Sequence, residues 1–214
     1  MNTLIKLGPL LDRLFGLSEA ARPVFSGVPA AERERLMRSK TEYLELYGHL
    51  KEFPLAVSRE TGALLYMLAR SIGAKTIVEF GTSFGISTLH LAAAVRDNGG
   101  GRVITTEFEV SKAERAQEHF VAGGLSDLIE IRLGDALQTL AVELPETIDL
   151  VLLDGAKALY PEVLALLESR LRPGALIVAD NADYAPEYLA RMRSTEAGYL
   201  SLPFDEDVEL SMKL

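Results

Sequence analysis

The chain has 214 residues, 48% of them hydrophobic and 25% charged, which fits one sizeable folded unit rather than a disordered segment. A formal net charge of −9 argues against general affinity for nucleic acid, whose phosphates must be neutralised by Lys and Arg. The absence of cysteine excludes disulfides, thiolate metal sites and cysteine nucleophiles.

The first stretch, "MNTLIKLGPLLDRLFGL", interrupts its apolar residues with Lys6, Pro9, Asp12 and Arg13, unlike a secretory leader. Leu4, Leu7, Leu11 and Leu14 recur at helical spacing and predict an amphipathic helix that packs on the body or on a partner subunit. No run reaches the ~20 apolar residues that span a bilayer. A cytoplasmic protein without a membrane or nucleic-acid partner is expected. Residues 1–52 read as a helical extension, with "PAAERERLMRSKTEYLELYGHLKEF" (29–53) as one long helix, and residues 53–214 as a single compact domain. "SRETGALLYMLARSIG" (58–73) is a further helix, capped by Ser58 and stopped by Gly73.

Beyond residue 73 short apolar runs alternate with helical stretches. The predicted strands are "TIVEF" (76–80), "RVITTE" (102–107), "IEIRLG" (129–134), "IDLVLLD" (148–154) and "ALIVAD" (175–180). Helices are predicted between them over 86–97, 111–123, 135–143 and 160–171. Continuously apolar strands separated by helices form parallel sheets buried on both faces, hence a doubly wound, Rossmann-like α/β fold. "YLSLPF" (199–204) and "VELSMKL" (208–214) alternate more strictly and predict an antiparallel hairpin that completes a seven-stranded, mostly parallel sheet. The intervening "DED" (205–207) reads as a solvated turn.

Ligands of such sheets bind beyond the carboxyl ends of the strands, and the polar oddities of this sequence fall there. "EFGTSFGIST" (79–88) follows the first strand. Gly81 and Gly85 permit a tight turn, and Ser87 and Thr88 enter the first turn of a helix whose free N–H groups suit a carboxylate. The spacing is GxxxG, not the GxGxxG of dinucleotide binders, which disfavours a nucleotide-dependent oxidoreductase. Glu107 closes the second strand, where an acid can accept both hydroxyls of a ribose, and "GDA" (134–136) could frame an adenine by its backbone or through Asp135. A nucleoside carrying a carboxylate, S-adenosylmethionine, fits this set better than a diphosphate.

The fourth and fifth strands end in Asp154 and in Asp180–Asn181. Neighbouring strands lie about 5 Å apart, so these side chains can converge on one ion. An all-oxygen set suits Mg²⁺, or Ca²⁺ or Mn²⁺, rather than Zn²⁺. Lys157 follows Asp154 by three residues, and near a divalent cation its pKa is expected to fall, making it a general base. His90 reads as a packed core histidine.

"VEFGTSFGIST", "TTE", "LLDGAKALY" and "ADNADY", in this order, resemble the motifs of the metal-dependent O-methyltransferases, the group of the catechol and caffeoyl-CoA enzymes. The similarity spans about residues 53–214 and includes "VSRETGALLYML". The resemblance implies that Asp154, Asp180 and Asn181 are metal ligands and that Lys157, with Asp154, carries the catalysis. It further implies that Val57, Glu79, Gly81, Ser87, Glu107, Asp135, Ala136 and Asp154 line the S-adenosylmethionine site. A small hydroxylated acceptor with vicinal oxygens and a homodimer are expected; a metal-independent methyltransferase on the same fold is the alternative. Gly155 and Ala156 replace bulkier residues of the relatives and suggest a more open acceptor pocket.

Overall fold

A computed structural model describes residues 2–21, 29–204 and 207–214. The first helix, α1 (Thr3–Ala20), starts where Asn2 accepts a hydrogen bond from the Ile5 amide. It buries Leu7, Leu11, Leu14 and Phe15, so the predicted apolar stripe packs on the body of the chain itself. The Thr3 amide and hydroxyl both donate to the Asp97 carboxylate, fastening this helix to the sheet domain.

The long helix expected over 29–53 is two helices, α2 (Ala30–Met37) and α3 (Tyr43–His49). The break follows from Ser39, whose hydroxyl accepts from the Glu42 amide at 3.0 Å and so competes with the helical ladder. Next come α4 (Arg59–Ser71), capped by Ser58 as predicted, β1 (Thr76–Phe80), α5 (Ile86–Asp97), β2 (Arg102–Glu107) and α6 (Val110–Ala122). They are followed by β3 (Ile129–Leu133), α7 (Ala136–Thr139), β4 (Ile148–Leu153), α8 (Tyr160–Leu167) and β5 (Leu171–Ala179). The chain closes with α9 (Pro186–Met192) and the hairpin β6 (Tyr199–Phe204) and β7 (Val208–Lys213). Residues 205 and 206 of the predicted hairpin turn lie outside the described residues.

Two boundaries moved for local reasons. The helix predicted over 135–143 stops at Thr139 because the Arg132 guanidinium takes the carbonyls of Thr139, Val142 and Glu143, at 2.8, 2.8 and 2.9 Å. Fixed by a cation, those acceptors no longer serve a helix. Similarly, the helix predicted over 160–171 yields to β5, which starts four residues early and carries Pro173 and Gly174 near its beginning.

The strand order is β3-β2-β1-β4-β5-β7-β6, parallel from β3 to β5 and antiparallel for the terminal hairpin. Alternation along each strand feeds two cores. Ile77, Val103, Leu150 and Val178 meet α1, α4, α5 and α6 on one face. Val78, Ile104, Val151 and Ile177 meet α8 and α9 on the other. Order reverses between β1 and β4, which opens a crevice above their carboxyl ends.

Candidate active site

That crevice is a cleft with about 660 Å³ of empty volume, within the range of small-molecule sites. The turn after β1 makes its floor. Gly81 has φ +103°, and a Cβ there would lie 2.7 Å from the Asp154 carbonyl oxygen. Glycine is therefore what lets the β1 turn touch the end of β4. The Asp154 amide donates to the Phe80 carbonyl at 2.8 Å, and the Asp180 amide to the Leu153 carbonyl at 2.9 Å. The sheet ladder thus runs one residue past the strands and holds both aspartates level with the cleft.

Beneath the turn sits a hydroxyl cage around Glu79, which is wholly buried. Its carboxylate accepts from Ser87 and Thr88, both at 2.5 Å, and from Thr105 at 2.6 Å. Burial pushes its pKa up to about 7 in spite of these donors. Val57, Glu79 and Ser87 stand behind the cleft wall rather than on its surface, all three nearly inaccessible. The segment before Val57 is nonetheless tied to the turn, because the Leu55 amide donates to Ser83 Oγ at 3.0 Å.

Gly81, Glu107, Asp135, Ala136 and Asp154 do line the cleft. Glu107 accepts three backbone amides, from Ser83 at 2.8 Å, Phe108 at 3.0 Å and Glu109 at 3.1 Å. These aim it into the cleft, while burial still raises its pKa above the usual carboxylate range. Asp135 doubles as the N-cap of α7, accepting from the Leu137 amide at 2.9 Å.

At the other end of the cleft Asp154 Oδ1 accepts from Lys157 Nζ at 2.8 Å. The fall expected of the lysine pKa is the effect of a bound cation, and the protein's own groups act the other way. Burial lowers it, but the Asp154 carboxylate, Tyr160, Tyr47 and Asp180 outweigh burial and hold Lys157 as ammonium, well above the ordinary value. The Asp180 pKa is pushed up to about 7, first by burial and then by the neighbouring Asp154 charge. The two strand-end carboxylates are thus close enough for the charge of one to act on the other, although only Asp154 lines the cleft.

Asn181 adopts φ +49° and donates its side-chain N–H to Asp207 at 2.9 Å, which leaves the amide oxygen as a free acceptor. Among the described residues no group of three or more His, Cys, Asp and Glu side chains is arranged to hold a metal ion. Asp154, Asp180 and Asn181 carry hard oxygen donors, the chemical type that a cation such as Mg²⁺ takes.

Two features were not foreseen. Gly155 does not widen an acceptor pocket: a Cβ there would lie 2.5 Å from the Phe80 ring, so the missing side chain is filled by that ring. The roof comes from α3, whose Tyr43, Leu44 and Tyr47 line the cleft, with Tyr47 Oη donating to the Gly155 carbonyl at 3.2 Å. No spacing in the sequence ties residues 43–47 to positions more than 100 residues away. Lys112 also lines the cleft and carried no signal beyond an ordinary helical lysine. His90 is buried, its Nδ1 hydrogen-bonded to the Ile86 carbonyl at 2.8 Å.

The sheet order, the glycine turn after β1 and the acid closing β2 define a class I methyltransferase fold. Residues 78–182 match the family model described as a methyltransferase domain. It is 37% identical over 130 residues to a catechol O-methyltransferase of Niastella koreensis, covering 59% of this chain and 58% of that protein. It is 34% identical over 143 residues to a catechol O-methyltransferase of Mycobacterium tuberculosis, covering 67% and 64%. The aligned part thus spans less than two thirds of either relative. Among solved structures it is similar to the O-methyltransferase TomG of Streptomyces achromogenes in complex with SAM. That match has 25% identity and a TM-score of 0.63, over 95% of this chain and 98% of that one.

Proposed function

We propose that the chain is an S-adenosylmethionine-dependent, divalent-cation-dependent O-methyltransferase acting on a small molecule with neighbouring oxygens. The observation that carries this reading is one cleft lined at one end by Glu107 and Asp135 and at the other by Asp154, with Lys157 paired to Asp154 and Asp180 near enough to feel its charge. Glu107 accepts the ribose hydroxyls, the 134–136 turn packs on adenine, and the Glu79–Ser87 pair backs the amino-acid end. Asp154, Asp180 and Asn181 would hold the cation, which when bound supplies Lewis acidity to an acceptor oxygen. Lys157, 2.8 Å from Asp154, would take the acceptor's hydroxyl proton as a neutral amine, a form that a cation offsetting the Asp154 charge would favour. The α3 roof excludes water, and the cleft walls hold donor and acceptor in line, where positioning supplies much of the rate.

The names of the relatives, catechol O-methyltransferase, support a catechol-like acceptor. The test is methyl transfer from S-adenosylmethionine to a panel of catechols and other vicinal hydroxyls, with and without chelator. Turnover that stops with chelator and returns with Mg²⁺ is expected. Undiminished turnover in excess chelator rejects the cation and leaves the metal-independent methyltransferase.

A further inference from the structure

Lys112 occupies an unusual position. It lies in the first turn of α6, is 4% exposed, and lines the same cleft as Glu107. Among the described residues it is the only cationic one on that lining. Among the described residues no hydrogen bond or ion pair engages its ammonium group. The Glu107 carboxylate is near enough to favour its charged form, though burial still pulls its pKa below the ordinary lysine value. A buried charge without a partner is costly, and an apolar side chain of the same length would be the stabler choice. The cost is explained if the partner is a ligand.

We infer that Lys112 and Glu107 form a two-sided clamp on the vicinal diol of the bound adenosyl group. Glu107 already spends both lone-pair sites of Oε1 on the amides of Phe108 and Glu109 and one of Oε2 on that of Ser83, which leaves one site on Oε2 for a hydroxyl proton. An ammonium has donors only, so it addresses what the carboxylate cannot, the lone pairs of a hydroxyl oxygen. A diol between a donor-only and an acceptor-only group gives a proton to one and accepts a hydrogen bond from the other. A deoxy sugar leaves one buried charge unmatched, which makes the pair a specificity device for ribose.

This inference rests on the proposed adenosyl site. Calorimetry of S-adenosylhomocysteine and its 2′-deoxy and 3′-deoxy analogues against wild type and Lys112→Met tests it. For the full ligand the variant should bind about tenfold more weakly, the effect of one charge-assisted hydrogen bond. For at least one deoxy analogue the same substitution should cost less than about threefold, and the variant should melt no lower than wild type. Equal losses on all three ligands, or no loss, overturn the clamp while the proposed function stands. A wild type that binds no S-adenosylhomocysteine overturns both. Should Lys112→Met fail to fold, Lys112→Ala carries the same comparison.

Discussion

Glu79 shows how a single residue can set a pH dependence. Its pKa in the fold is pushed up to about 7 from an ordinary 4.5, so the folded state holds this proton more tightly than the unfolded chain. The stability it contributes is complete below pH 4.5 and is lost as pH rises through 7, a change on the order of 3 kcal/mol. Glu79→Gln removes the titration, so its urea midpoint should fall less between pH 5 and 8 than the wild type's. Parallel curves for the two proteins would show that the hydroxyl cage offsets burial fully. At this scale the sequence was informative where apolar runs end in acids, as at Glu107, Asp154 and Asp180, because charge at a core strand tip demands a ligand. It was uninformative for Lys157, whose protonation depends on Asp154, Asp180, Tyr160 and Tyr47 together. Lys112 was equally hidden, since "EVSKAERA" reads as an ordinary solvated helix start.

Among the elements, α3 has the largest consequence for the cleft. It is joined to the body by Tyr47 Oη on the Gly155 carbonyl and by Lys40, just ahead of it, which bridges Glu162 and Glu187 at 2.8 Å each. The exposed Lys40 pairs contribute little, so the part-buried tyrosine is the firmer anchor. Tyr47→Phe should cost about 1 kcal/mol, which for a chain of this size lowers Tm by roughly 2–4 °C. With the roof loosened, S-adenosylhomocysteine should dissociate several-fold faster in stopped-flow measurements. An unchanged Tm and off-rate would mean that α3 is held by its apolar contacts alone. The strands other than β5, together with α5, were legible almost to the residue, since their hydrophobic runs and the glycine turn leave little choice. The division of 29–53 and the shortening of α7 were not, because each turns on one side chain, Ser39 or Arg132, that takes over backbone groups.

For the whole molecule, the strand order places the β1, β2 and β4 tips around one crevice, and the helix α1 completes the core on the opposite side of the sheet from α8. Among the described residues no helix is long and apolar enough to cross a membrane. Of the buried charged groups, Glu107 and Lys112 line the cleft, Glu79 lies beneath its floor, and Lys157 and Asp180 adjoin Asp154, whereas Glu209 pairs with Arg193 on the terminal hairpin. In the proposed reaction Asp154, Asp180 and Asn181 share one cation beside the adenosyl group. A crystal structure with Mn²⁺ and S-adenosylhomocysteine, read by anomalous scattering, tests it most directly. The predicted result is a single manganese peak between the Asp154 and Asp180 carboxylates, within bonding distance of the Asn181 amide oxygen. An adenosyl group bound in the cleft with no peak at those side chains would contradict it.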